Sequence, residues 1–514
     1  MSVTASSSQP FGRRSLRVLI VGAGFGGIAA AIELRRHGIT DITILEKAPD
    51  LGGTWFYNSY PGAACDVPSH LYSFSFAQRR DWSRLCSPQQ EIHAYLHQVA
   101  REQRVDGLVH CGQTVTSCSW EEQSASWSVQ TTQGSTYEAD ALVIATGQLH
   151  KPHTPAIEGA EDFQGHSFHS AEWDHDYSLE GKRVGVVGTG ASAVQFVPEI
   201  ASQVAHLTVF QRTGNWFLPR KNRPYPALVK KAFELLPGLQ GFRRRFVFEY
   251  GEFLTTLIRH PRTLGRVGRQ RSATFMCSQL KDEKLREKVW PDYTFGCKRV
   301  LFSSYFLPAL ERANVDLVSD RVASISGDAV LTADGTRHEL DCIIWATGFK
   351  TNDFMFPMGI TGQDGRSLEQ GWAGGAHAHL GMCVPDFPNM FVMYGPNTNT
   401  SGGSIIFYLE RQAAYIRQAL QQLGARGAAT IEVRPDVESA SDHAVQHRFA
   451  GTAWTECDSW YRDGEGRIVA NWPGYMREYF KQTAQLDPSE YRFVVSTPSV
   501  LAGSGEILTT ERSS

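Results

Sequence analysis

Closely spaced cysteine pairs, membrane-length apolar runs and an excess of one charge are all missing from this 514-residue sequence. Its nine cysteines, at 65, 86, 111, 118, 277, 297, 342, 383 and 457, are odd in number, and no two stand in C-x-x-C spacing. That excludes a zinc pattern and a dithiol redox motif and leaves no disulfide framework. The expectation is no metal centre and mostly buried, reduced thiols in a cytoplasmic protein. No apolar run reaches the roughly 18 residues of a membrane span, so no transmembrane segment is expected. Acidic residues number 53 against 50 Lys plus Arg, a net charge of −3. This balance argues against a whole-chain polyanion binder, so no nucleic-acid partner is expected, although a local basic patch stays open. With 42% hydrophobic and 20% charged residues, the composition is that of a globular protein and not a disordered one. Residues 1–10 are polar and Ser-rich, lack the order of a signal peptide, and are expected to form a frayed tail.

What is present begins at residues 16–21, Leu-Arg-Val-Leu-Ile-Val, which read as a short buried parallel strand. Gly22-Ala23-Gly24-Phe25-Gly26-Gly27 follows, then an Ala-rich helical stretch to about residue 37. A second strand over 41–45 ends at Glu46-Lys47. This is a β-α-β unit. Gly22 permits the tight turn, Gly24 lets the backbone approach a pyrophosphate, and Gly27 lets the helix pack against the strand. The helix N-terminus offers free N–H groups to phosphate. Glu46, 19 residues beyond Gly27, is spaced to accept hydrogen bonds from the hydroxyls of an adenosine ribose.

A second copy lies about 165 residues on. Residues 184–187 form the strand, Gly188-Thr189-Gly190-Ala191-Ser192-Ala193 the turn, 194–202 the helix and 207–210 the next strand. Here the second strand ends in Phe210-Gln211-Arg212-Thr213, without an acid. An arginine there suits a 2′-phosphate, which a carboxylate would repel. The first unit therefore prefers a plain ribose, as in FAD or NAD, and the second prefers NADP. A flavin beside NADPH is the economical pairing, and without C-x-x-C the natural remaining acceptor is oxygen. Two further segments echo one another, Asp140-Ala-Leu-Val-Ile-Ala-Thr-Gly147 and Asp341-Cys-Ile-Ile-Trp-Ala-Thr-Gly348. Each is spaced to close the sheet of one unit. Residues 224–291 read as helical, and eight arginines between Arg243 and Arg271 are expected to form a solvated face, with a membrane surface or an anionic ligand as the alternative.

Between the two units, Phe163-Gln-Gly165-His-Ser-Phe-His169-Ser-Ala-Glu-Trp173-Asp174 fits every fixed position of F-x-G-x-x-x-H-x-x-x-W-[P/D]. Gly52-Gly53-Thr54-Trp55, Tyr60-Pro61-Gly62 and Asp66 fit G-G-x-W-x-x-x-x-[F/Y]-P-G-x-x-x-D. With the two glycine motifs in order, the sequence resembles the Baeyer–Villiger monooxygenases from about residue 16 to 480. The resemblance implies that NADPH reduces FAD, that reduced flavin and O2 give a C4a-peroxyflavin, and that this converts a ketone to an ester or lactone. It implies Arg299 and Asp66 as the catalytic pair, Arg299 as a fixed cation and Asp66 holding it. It places Lys298 with Arg212 in the 2′-phosphate clamp, and Thr189, Gln195 and Thr213 along the NADP phosphates. Trp460 falls near NADP and Tyr72 beside the flavin. Gly53, Thr54 and Trp55 join the flavin side, with Trp55 and Trp173 chiefly packing residues. His169 reads as a structural linker, not a general base. The stretch 397–404, Asn-Thr-Asn-Thr-Ser-Gly-Gly-Ser, is expected to pass near the flavin.

The expected fold is α/β, with two Rossmann-like dinucleotide domains and a helical insertion. The expected division is 1–150 and 385–514 for FAD, 151–221 and 297–384 for NADP, and 222–296 for the insertion. The partners implied are a small-molecule ketone and O2. The rivals are a flavin monooxygenase that oxidises N or S, and a non-catalytic flavin/NADP redox sensor.

Overall fold

The computed structural model describes residues 15–495, apart from 221 and 401. The tail expected over 1–10 lies outside the described residues. β1 (Val18–Val21), α1 (Phe25–Arg36) and β2 (Ile42–Leu45) form the first unit. β3 (Val109–His110) follows, then a meander of β4 (Val115–Glu121), β5 (Ser126–Thr131) and β6 (Thr136–Ala139), and β7 (Ala141–Ile144). The chain then builds β8 (His166–His169), β9 (Arg183–Val187), α2 (Ala191–Ile200) and β10 (His206–Phe210). Helices α3 (Ala227–Leu235), α4 (Pro237–Arg259), α5 (Gly265–Gln279) and α6 (Glu283–Val289) come next. β11 (Val315–Val318), β12 (Cys342–Trp345), β13 (Gly359–Thr361), β14 (Met390–Val392) and α7 (Ile405–Ala425) complete the frame.

Two five-stranded parallel sheets result. Their orders are β14-β7-β1-β2-β3 and β11-β10-β9-β12-β8. The two echo segments are β7 and β12, and each lies beside the first strand of its unit. Arg17 donates through its backbone N–H to Asp140 Oδ2 and through Nη2 to Oδ1, both at 2.8 Å. Arg183 makes the same pair of bonds to Asp341, at 2.8 and 2.9 Å. At the other strand end the turn glycines Gly22 and Gly188 have φ of +105° and +108°. A Cβ on either would stand 2.6 Å from Ala145 O or 2.5 Å from Ala346 O. One fastening is thus repeated in both sheets.

Helix α1 is buried along most of its length, held between the first sheet and α7. Ile28 and Ile32 share one core with Ile406, Ala413 and Ile416. Each of these isoleucines contributes roughly 1.5–3 kcal/mol on full burial. The return to the first sheet's side begins earlier than residue 385. β13 pairs with β4, with Ile360 opposite Cys118, and Ile360 is buried with Trp120 and Trp127. Burial of Ile360 in that core holds the strand on the first sheet's side.

Two expectations are corrected. Cys297 and Cys457 are bonded, with Cα atoms 6.1 Å apart and 160 residues between them in sequence. Folding brings together partners that no local spacing pattern could pair. The other seven cysteines are free, five of them buried. The arginine-rich stretch is not solvated throughout. Arg244 points inward, and its Nη1 donates to the carbonyls of His70 (2.8 Å), Leu71 (3.4 Å) and Ser73 (3.1 Å). Burial lowers its pKa from the usual guanidinium value. Those carbonyls have no other donor among the described residues, which is reason enough to bury a guanidinium. Arg259 stacks over the Tyr475 ring at 4.9 Å. No helix among the described residues is long and apolar enough to cross a membrane.

Candidate active site

The carboxyl ends of both sheets open into one cavity of about 1500 Å³. That exceeds the roughly 300–1000 Å³ common for a single small ligand. All the expected site residues line it except Gly27. Gly27 instead supplies close packing, since a Cβ there would fall 1.9 Å from Gly22 O.

On the first side, α1 starts at Gly24 with no acidic residue in its first turn. Its free N–H groups therefore face the cavity without a competing carboxylate. Gly24 also meets the second glycine pair, since a Cβ on Gly53 would stand 3.0 Å from Gly24 Cα. Glu46 is buried, with Oε2 accepting from Ala23 N (2.7 Å) and Oε1 from Ala48 N (2.9 Å). These bonds fix the carboxylate and leave each oxygen a lone pair for a ribose hydroxyl. Lys47 sits over the Tyr57 ring at 5.1 Å. Trp55 Nε1 donates to Tyr72 Oη at 3.1 Å, and Phe25 packs edge-on to Tyr72. Burial, with Cys65 next in effect, holds the Tyr72 phenol well above its ordinary pKa, so it stays neutral.

The second side repeats the plan. α2 starts at Gly190, again with no acid in its first turn, and a Cβ on Gly190 would meet no protein atom within 4 Å. Thr189, Ala191 and Ser192 line the wall beside it. Arg212 and Thr213 follow β10. Lys298 comes from a distant stretch to the same wall, above the Tyr293 ring at 4.8 Å. Burial and then the charge of Arg212 lower the Lys298 pKa. Two cations on one wall have the charge to meet a doubly charged phosphate.

Gln195 does more than line the wall. Its Oε1 accepts from Ala64 N (3.1 Å) and Tyr60 Oη (3.2 Å), and its Nε2 donates to Ala64 O (2.9 Å). Gly62, at φ +77°, has no room for a Cβ, which would fall 2.9 Å from Gln195 O. The Tyr60-Pro61-Gly62 motif therefore docks the first unit onto α2 of the second.

Where the two sides meet, Arg299 Nε and Nη2 both donate to Asp66 Oδ2, at 3.0 and 2.6 Å. Nη1 makes no hydrogen bond among the described residues, and Arg299 is 37% exposed where it lines the cavity. Burial pushes the Asp66 carboxyl upward, but the charge and hydrogen bonds of Arg299, with Arg220, more than reverse this and leave it lowered. Asp66 in turn raises the Arg299 pKa against desolvation. The pair is ionised at any working pH. Trp460 lines the same region, its carbonyl held by Thr351 Oγ1 at 3.1 Å.

His169 is buried and lies outside the cavity lining. It bridges Gly348 O (3.0 Å, through Nε2) and Ala171 N (3.1 Å, to Nδ1). Burial lowers its pKa, so it links the segment before β9 to the turn after β12 as a neutral ring. Trp173 packs against Phe168 and Phe196.

Gln148 and Tyr394 are among the lining residues that the sequence motifs do not mark. Gln148, just after the Ala-Thr-Gly turn of β7, donates through Nε2 to Tyr394 O (3.1 Å) and Gly395 O (3.2 Å). Tyr394 follows β14 beside Arg299 and donates to Asn399 Oδ1 at 2.8 Å. Their only sequence signal was position, each following the end of a buried strand. Asn399 Nδ2 donates on to Asn471 Oδ1 at 2.7 Å, so the stretch near 397–404 is fastened from below. Gln148 Oε1 and Ser459 Oγ are buried without partners among the described residues, and both residues line the cavity. Orphaned polar atoms of this kind fit a wall built for a polar ligand.

A family model described as pyridine nucleotide-disulphide oxidoreductase matches residues 19–229. A Baeyer–Villiger monooxygenase of Streptomyces coelicolor is 41% identical over 94% of this chain and 94% of its own length. Another from Pseudomonas aeruginosa is 37% identical over 97% and 95%. Among solved structures, an oxidised steroid monooxygenase bound to NADP superposes with a TM-score of 0.83 at 29% identity, covering 94% of this chain and 99% of that one. A closed cyclohexanone monooxygenase gives 0.84 at 27% identity with the same coverage. With relatives this similar over nearly the whole chain, the protein belongs to the Baeyer–Villiger monooxygenase family.

Proposed function

We propose that this cavity binds FAD and NADPH together and inserts one atom of O2 next to a ketone carbonyl to give an ester or lactone. When bound, the flavin supplies oxygen activation, fed by hydride from NADPH. The observation that supports the reading best is the Asp66–Arg299 pair, which joins residues 233 apart in sequence at the meeting of the two glycine-turn walls. The first-side glycines, Glu46 and the Phe25–Trp55–Tyr72 group hold FAD. Gly188, Gly190, Thr189, Ser192, Thr213, Arg212 and Lys298 hold the phosphates of NADPH, with Trp460 near it. Of the described residues, those within 1–150 and 385–514, with β13, form the FAD half, and the remainder carries NADP and the helical insertion.

Oxygen addition to a ketone turns the carbonyl oxygen into an alkoxide. Arg299 presents a fixed positive charge to it, and Asp66 holds the guanidinium by two bonds on one edge. Loss of one preorganised donor of this kind costs about 10²–10³ in rate. The substrate in this reading is a small ketone, and the compartment it implies is the cytoplasm.

The test is anaerobic reduction of the holoenzyme with NADPH, followed by oxygenated buffer and a panel of ketones and thioethers. Ester from ketone establishes the reading. Sulfoxide alone points to N- or S-oxygenation. Very slow NADPH oxidation with every substrate points to a redox sensor.

A further inference from the structure

Eight of the thirteen large apolar side chains exposed among the described residues fall between 228 and 267, in the helical block. On α3, Leu228 and Leu235 are seven residues apart and 80% and 67% exposed. On α4, Phe242, Phe246 and Phe253 lie within an arc of about 40° at 100° per residue, and all three are exposed. A soluble surface seldom gathers apolar groups so densely without a partner.

The charge around this face is mostly positive. Residues 228–271 hold ten Lys and Arg against three Glu, in a chain whose net charge is −3. Two of those acids, Glu249 and Glu252, share one arginine, Arg477, at 2.7 Å each. Lys231, Arg245, Arg266, Arg269 and Arg271 are exposed and have no carboxylate within 4.0 Å among the described residues. Arg245 lies about 60° from Phe242 around the helix, so a free cation flanks the aromatic stripe.

We infer that α3 and α4 form a docking face for a membrane surface rich in anionic lipid. Apolar side chains enter the headgroup boundary while flanking cations meet phosphates. The helices lie on the bilayer, since none among the described residues can span it. The opposite side of α4 reaches the cavity wall. A Cβ on Gly251 would fall 2.5 Å from Gly402 O, between the lining residues Thr400 and Gly403. The face thus stands one helix away from the cavity, which suits apolar substrates that partition into lipid.

Flotation of the holoenzyme with vesicles of phosphatidylcholine and phosphatidylglycerol at 1:1, against phosphatidylcholine alone, tests the inference without reference to any reaction. The expected result is retention on the anionic vesicles that falls as salt rises, at least tenfold weaker on phosphatidylcholine. F242S/F246S should reduce retention at least tenfold, and R245E should weaken it at low salt. Both variants alter exposed side chains, so unchanged melting and flavin reduction by NADPH would confirm an intact fold. No retention on anionic vesicles, equal retention on both, or undiminished retention of F242S/F246S would each overturn the inference. A dimer in sedimentation that F242S/F246S dissolves, without vesicle binding, would assign the face to a second copy of the chain instead.

Discussion

Both hydrogen bonds from Arg299 to Asp66 end on a single oxygen, Oδ2. The carboxylate grips one edge of the guanidinium, and Nη1 stays free of it. Arg299→Ala should therefore retain FAD and reduction by NADPH while ester formation falls by about 10²–10³. Stopped-flow reduction and product analysis on one preparation would separate the two steps. Wild-type ester yield would remove Arg299 from the chemistry.

The same pair has a pH signature. Asp66 is depressed below its ordinary range, so its contribution to stability is complete above the unfolded carboxyl value of about 3.9. It is lost as pH falls through the lower folded value. Melting of wild type and Asp66→Asn between pH 3 and 7 should show a constant gap down to about pH 4 and a narrowing one below. A gap that widens on acidification would contradict the lowered carboxyl.

Arg212→Ala and Lys298→Ala should each raise the KM for NADPH by about 10–100-fold, the loss of a charge-assisted bond, and change that for NADH little. Steady-state kinetics with both nucleotides would decide. Equal effects would mean that these cations do not read the 2′-phosphate.

Gln195→Ala should lower unfolding stability by about 1–3 kcal/mol, because Ala64 loses partners for both its N–H and its carbonyl. Denaturant titration gives the number. Gln195→Glu should restore only the accepting half of the contact, so a full recovery would argue against the amide geometry.

Reduction of the Cys297–Cys457 bond should lower the melting temperature by an amount equivalent to about 2–4 kcal/mol. Differential scanning with and without dithiothreitol, repeated on Cys297→Ser, would isolate this bond from the free thiols. A Cys297→Ser melt that still drops with reductant would place the effect elsewhere.

Much of this architecture was legible because it is local. The glycine turns, the strands beside them and Glu46 are set by spacing within a single β-α-β unit. The two echo segments were visible as repeats, and the structure supplies their reason: Asp140 and Asp341 tie the lower strand ends while Ala145 and Ala346 crowd the turn glycines. The contributions of Gln148 and Tyr394 were hidden because each depends on a contact across more than two hundred residues. Arg244 was misread for a related reason. A run of arginines resembles a wet surface until the chain folds three bare carbonyls beneath one of them. Gln195 was assigned a wall and turned out to hold two units together as well.

The bond between Cys297 and Cys457 makes a covalent ring of the intervening chain, which contains β11 to β14 and α7. A single proteolytic nick anywhere inside that ring leaves the fragments joined. The nicked protein would migrate as one band on a non-reducing gel and as two after reduction. Damage to the segment that carries the polypeptide from one sheet back to the other would therefore pass unnoticed on a gel run without a thiol.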